Sequence, residues 1–170
     1  NCRFDQLELD CLDIGEKAFQ GRTGNSLKKF YEDSDASIYD YEFGEECLAG
    51  FAIKCQRLFF WSCIFRKSAF EGCTLTDVNS IIIYSTNTFE EYAFANNIGF
   101  RGTLTIESSY VGSHAFENNL TSPAQFTLEF LERGSSLTID SYAFYNSGVK
   151  GSLTIPLSYT TIKERAFEKC

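Results

Sequence analysis

The stretch GFRGTLTIESSYVGSHAFENN, residues 99–119, holds the pattern on which the fold turns. Its run Leu104-Thr105-Ile106 alternates apolar and polar in the period of a strand with one buried face. Gly102 stands just before that run, where a turn is expected to need positive φ. Val111 and Gly112 follow, and five residues after Val111 comes Phe116, preceded by Ala115. The same order returns along the chain. Ala-Phe recurs at Phe19, Phe70, Phe94, Phe116, Phe144 and Phe167, with a degenerate Glu-Phe at Phe43, at intervals of 24, 27, 24, 22, 28 and 23 residues. An apolar residue stands five positions before every one of them: Ile14, Ile38, Phe65, Phe89, Val111, Ile139 and Ile162.

A second anchor lies upstream. Leu7, Leu58, Ile82 and Leu104 each stand twelve residues before their Phe, Leu153 fourteen, and Leu27 and Leu128 sixteen. The extra residues enter between strand and turn, where a repeat stack absorbs insertions on one side. A unit of this length makes a strand, two turns and a short helical or extended return, but cannot bury its own apolar face, so successive units must stack. The expectation is one α/β repeat domain over residues 1–170: a right-handed solenoid of about seven coils anchored at those Phe residues. Its parallel sheet would face short helical or extended returns, and residues 44–57 would form a long link between coils.

The stretch above and SGVKGSLTIPLSYTTIKERAFEKC, residues 147–170, resemble the BspA-like class of leucine-rich repeats. Units of that class read as a Leu/Ile strand, a Pro-Ser turn, an Ile-Gly step and an Ala-Phe-x-x-Cys turn. Ile14-Gly15 and Val111-Gly112 match the step, Cys73 and Cys170 match the Cys after Phe, and only Pro156 keeps the turn proline. The resemblance covers nearly the whole chain and is strongest from Phe89 to Cys170. It implies a leucine-rich-repeat solenoid in an extracellular, cell-surface or secreted protein that adheres to a protein or glycan of a host or another microbe.

Composition narrows the function classes. Fifteen Lys and Arg against 23 Asp and Glu give a net charge of −8, which repels a phosphate backbone and argues against a nucleic-acid partner. No apolar run reaches the roughly 18 residues of a membrane span, so no membrane insertion is expected. Met is absent altogether, and the chain stops where the repeat would continue, so both ends are expected to be cut. An uncapped last coil would invite end-to-end association.

Little points to catalysis. The one histidine, His114, occupies the slot before Ala115, where other copies carry Lys17, Ser68, Tyr92, Tyr142 and Arg165, and a surface role is expected. No HExxH, GxSxG, phosphate-loop or dinucleotide fingerprint occurs. No catalytic residue, cofactor or metal is therefore assigned. A hydrolase using His114 ranks last. Seven cysteines cannot all pair within one chain. Cys47, Cys55, Cys63 and Cys73 are spaced 8, 8 and 10 apart, unlike a zinc site. Cys73 and Cys170 fit as small buried fillers, Cys2 with Cys11 could seal the first coil, and Cys47 with Cys73 is a further candidate disulfide. The acidic residues between 32 and 46 read as a solvated face. Asn119-Leu120-Thr121 is a glycosylation sequon, so Asn119 is a candidate acceptor in a secreted chain.

The binding surface is sought beside the inward ladder. If Leu7, Leu27, Leu58, Ile82, Leu104, Leu128 and Leu153 point in, most of their neighbours are polar and point out. Two coils break that rule, with Phe59, Trp61, Ile81 and Ile83 all facing out, and Arg57 at the head of the first of these strands. Such a cluster marks a contact site, with Trp61 as an anchor. Two other arrangements satisfy the pattern: the 44–57 link folds over the cluster, or register slips by one and exchanges the faces. The functional expectation is a non-enzymatic binding module, with a structural spacer in a larger surface protein as the alternative.

Overall fold

A computed structural model describes residues 13–14, 35–86, 88–119, 126–132 and 137–170. They wind into a parallel β-solenoid of about five turns. Seven short strands form one sheet, in the order β1 (Asp13–Ile14), β3 (Glu42–Phe43), β6 (Ile64–Phe65), β9 (Thr88–Phe89), β11 (Tyr110–Val111), β13 (Leu137–Ile139) and β14 (Tyr159–Ile162). A second sheet has five longer strands: β2 (Asp35–Tyr39), β5 (Arg57–Trp61), β8 (Ser80–Thr86), β10 (Thr103–Ser108) and β12 (Thr127–Phe130). The pair β4 (Ala52–Lys54) and β7 (Thr74–Thr76) lies on a third side. No helix occurs among the described residues. Of the two returns expected, helical or extended, the described residues show the extended one, a six-residue turn and an extended segment that stack coil on coil through backbone hydrogen bonds.

The core confirms the stacking logic. Phe94, Phe116, Phe144 and Phe167 form one column, with ring centroids 5.4, 5.1 and 5.2 Å apart and planes within 12°. Phe70 continues it below Phe94 at 4.9 Å. A second column, Phe43, Phe65 and Phe89, stacks at 5.5 and 5.1 Å. Offset aromatic stacks contribute about 0.5–1.5 kcal/mol per pair beyond the area they bury. The alanine before each Phe is buried without residual exposure at Ala69, Ala93, Ala115 and Ala143, because the next coil lies directly over it. The N–H of Phe70, Phe94, Phe116 and Phe144 donates to the carbonyl of the next coil's alanine at 2.7–2.8 Å. Gly102 is not left-handed, contrary to expectation, and is required by contact instead: a Cβ there would stand 1.6 Å from the carbonyl oxygen of Asn79.

Register corrects three expectations. Phe43 pairs with Phe65, so it belongs to the column of Ile14 and Phe89, not to the Ala-Phe column. Its coil uses Cys47-Leu48 at the Ala-Phe position, since the Leu48 N–H donates to the Ala69 carbonyl at 2.9 Å. Residues 44–57 run through a turn and β4 to the first residue of β5. In the next register, Ile81 pairs with both Leu58 and Leu104, so Ile81 and Ile83 point inward, at 3% and 0% exposure, while Ile82 faces out. The cause is one additional residue within β8, between Ile83 and Thr86, where the pairing of β8 with β10 shifts beyond Ile106. Finally, the run 151–156 forms no strand, although Leu153 and Ile155 rest against the core. Gly151 there is left-handed at φ 81° and Pro156 has no N–H to give to a ladder.

Candidate functional site: an aromatic sheet face

Alternation along β5 buries Leu58 and Phe60 and turns Arg57, Phe59 and Trp61 outward. The neighbours in register extend that outward set. Tyr39 pairs with Trp61 and Trp61 with Tyr84, which places three aromatic residues at equivalent positions on β2, β5 and β8. Phe59 lies beside Ser37 and Ile82 in the adjacent row. The rings touch one another: Tyr39–Phe59 at 5.8 Å, Phe59–Tyr84 at 5.6 Å, Trp61–Tyr84 at 5.9 Å and Phe59–Trp61 at 6.5 Å. Tyr39 remains 59% exposed and Trp61 43%, so the cluster forms part of the surface.

Of the residues expected at the contact site, the structure brings Arg57, Phe59 and Trp61 to one face and sends Ile81 and Ile83 to the core. Tyr39, Ile82 and Tyr84 take their place. The signal for them was present in the strand ends SIY, FFW and IIIY, each closing on an aromatic residue. A run of three isoleucines hides alternation, so only hydrogen-bond register separates its faces.

The remaining candidates occupy structural positions. His114 is left-handed at φ 57°, in the turn slot shared by Ser68, Tyr92, Tyr142 and Arg165. Its ring is sandwiched between Tyr92 and Tyr142 at 4.8 and 4.9 Å and its Nδ1 meets the Glu117 carboxylate. Asn119 is 7% exposed, and its Oδ1 accepts the backbone N–H of Asn97 at 2.8 Å, as Asn97 does for Cys73 at 2.6 Å. In the folded chain that oxygen serves this inter-coil stack. Cys47 and Cys73 are both free and buried, so the candidate disulfide between them is not formed. Burial raises their thiols to about 12 and that of Cys63 to about 11. Cys170 is exposed, contrary to its expected role as a buried filler. Cys2 and Cys11 lie outside the described residues. Within the acidic segment, Glu42 accepts from Arg66 at 2.7 Å, and the same guanidinium reaches Glu90 at 2.8 Å, tying three coils together. Among the described residues no group of three His, Cys, Asp or Glu side chains is placed to hold a metal ion. Nor is any described helix long and apolar enough to cross a membrane.

The family model described as the BspA type leucine-rich repeat region matches this chain in six copies, over residues 1–123 and 62–170. No curated protein and no solved structure matches it.

Proposed function

The chain belongs to the BspA type leucine-rich repeat family, and on that premise we propose that it is a non-enzymatic adhesion module, displayed on a cell surface or secreted, that binds its partner through the aromatic sheet face. Repeat modules of this kind serve interaction. What supports this assignment of the site is the contiguous set of Tyr39, Phe59, Trp61 and Tyr84 on one sheet face, exposed at Tyr39 and Trp61 and half-buried at Phe59 and Tyr84. Aromatic residues on a preorganised scaffold supply binding area at little entropic cost, and Trp and Tyr lead among interface anchors. A right-handed stack carries these anchors without any moving part.

The test compares the native chain with Phe59→Ser/Trp61→Ser on a panel of immobilised matrix proteins and glycans, with thermal melting as the control for folding. Binding to a panel member by the native chain, weakened about tenfold or more in the variant at an unchanged melting temperature, supports the module. Equal binding by both proteins, or none by either, favours a spacer role instead.

A further inference from the structure

The same face constrains the chemistry of its ligand, an inference that rests on the binding role proposed above. Centroid separations of 5.6–6.5 Å leave no gap between the rings, so the cluster is a platform and not a cage. A ligand must lie across it. Tyr39, Trp61 and Tyr84 follow one another along the solenoid axis at the strand spacing of ~4.8 Å. Each combines an apolar ring face with a polar O–H or N–H tip.

The surroundings are mostly uncharged. Ser37 and Ser80 flank the aromatic rows, and further along the same face the hydroxyls of Thr103 and Thr127 meet at 3.0 Å. That contact uses one of their two protons, so the pair keeps a donor and several lone pairs. Glu129, exposed on β12, adds an acceptor. Among the described outward side chains of the five strands Arg57 is the single cation, too little to match a polyanion. A second copy of the chain fits poorly, because a stable interface uses about 20–30 residues a side and this apolar set has five. A peptide helix docks its apolar face in a groove, whereas these touching rings form a platform.

We propose that this face binds a neutral linear oligosaccharide running along the solenoid axis. Its C–H faces rest on Tyr39, Trp61 and Tyr84, and its hydroxyls bond to the O–H and N–H tips of those side chains. Rings with polar tips match the alternating apolar and polar faces of a sugar chain.

Trp61 is the only tryptophan in the chain, so its emission reports the site directly. The full chain is titrated with cellohexaose, laminarihexaose and mannohexaose. A saturable change in emission with at least one of them is expected, together with protection of Trp61 from acrylamide quenching. Tyr84→Ser and Phe59→Ser, which retain Trp61, are expected to weaken that binding by about tenfold or more. Quenching protection in the native chain decides the matter should a variant fail to fold. No saturable change with any of the three sugars overturns the proposal, as does an equal affinity in Tyr84→Ser. If the sugars fail while the platform still binds an unglycosylated protein, or a second copy by sedimentation, the glycan inference falls and the wider binding role stands. If nothing binds through the platform, both fall.

Discussion

Cys47 stands where other coils carry alanine, and the substitution shows what that position demands. It is fully buried, its Sγ points to the Ala69 carbonyl at 3.8 Å, and only a small side chain fits beneath the next coil. Burial holds the thiols of Cys47, Cys63 and Cys73 near 11 to 12, far above solution thiols, so the nucleophilic thiolate is scarce at neutral pH. Alkylation at pH 8 followed by peptide mass mapping is expected to label Cys170 in the native chain and to leave those three unmodified until the protein is denatured. Labelling of Cys73 at the rate of Cys170 would contradict the buried placement. At this scale the sequence was legible where residue type and spacing agree, as in the Ala-Phe pairs. It was misleading at Phe43, because Phe suits both columns and nothing local distinguishes them.

Three neighbouring elements meet at Asp140, just beyond β13. Its carboxylate accepts the Tyr110 hydroxyl from β11 at 2.5 Å and the Lys163 ammonium that follows β14 at 2.8 Å. Burial pushes the Asp140 carboxyl up, but Lys163 and Tyr110 outweigh it, and the group lies below its ordinary value. Tyr110 moves the other way, to about 12, through burial and the adjacent carboxylate. A depressed carboxyl contributes stability above its unfolded value of about 3.9 and loses it as pH falls through the lower folded value. A raised phenol contributes fully below about 10 and loses that contribution as pH rises toward its folded value. Asp140→Ala is therefore expected to cost on the order of 1–3 kcal/mol at pH 7. It is also expected to flatten both the acidic and the alkaline limbs of denaturant midpoint against pH. A variant whose midpoints fall in parallel with the native chain at every pH would show that the three groups are uncoupled.

Across the whole molecule each coil touches only its neighbours, so stability is a sum of coils and of the interfaces between them. Phe116 contacts Phe94 at 5.4 Å, whereas Phe43 and Phe144 lie in different columns several coils apart. Phe116→Ala is expected to cost about 3–5 kcal/mol. In double-mutant cycles, Phe94→Ala with Phe116→Ala is expected to depart from additivity by about 0.5 kcal/mol or more, while Phe43→Ala with Phe144→Ala adds within about 0.5 kcal/mol. Equal coupling in both cycles would indicate a globular, rather than linear, distribution of contacts.

The sequence by itself determined that the chain repeats, that its apolar residues form ladders, and that Phe94, Phe116, Phe144 and Phe167 align, since a unit this short has no other way to bury its face. Phe59 and Trp61 were legible as outward because Leu58 and Phe60 alternate cleanly with them. The tertiary structure alone decided the faces of Ile81, Ile82 and Ile83, the role of Cys47-Leu48, and the meeting of Tyr39, Trp61 and Tyr84 in one row. Those depend on which strand hydrogen-bonds to which and where one extra residue is accommodated. A one-residue shift exchanges the two faces of a strand without altering a single local preference.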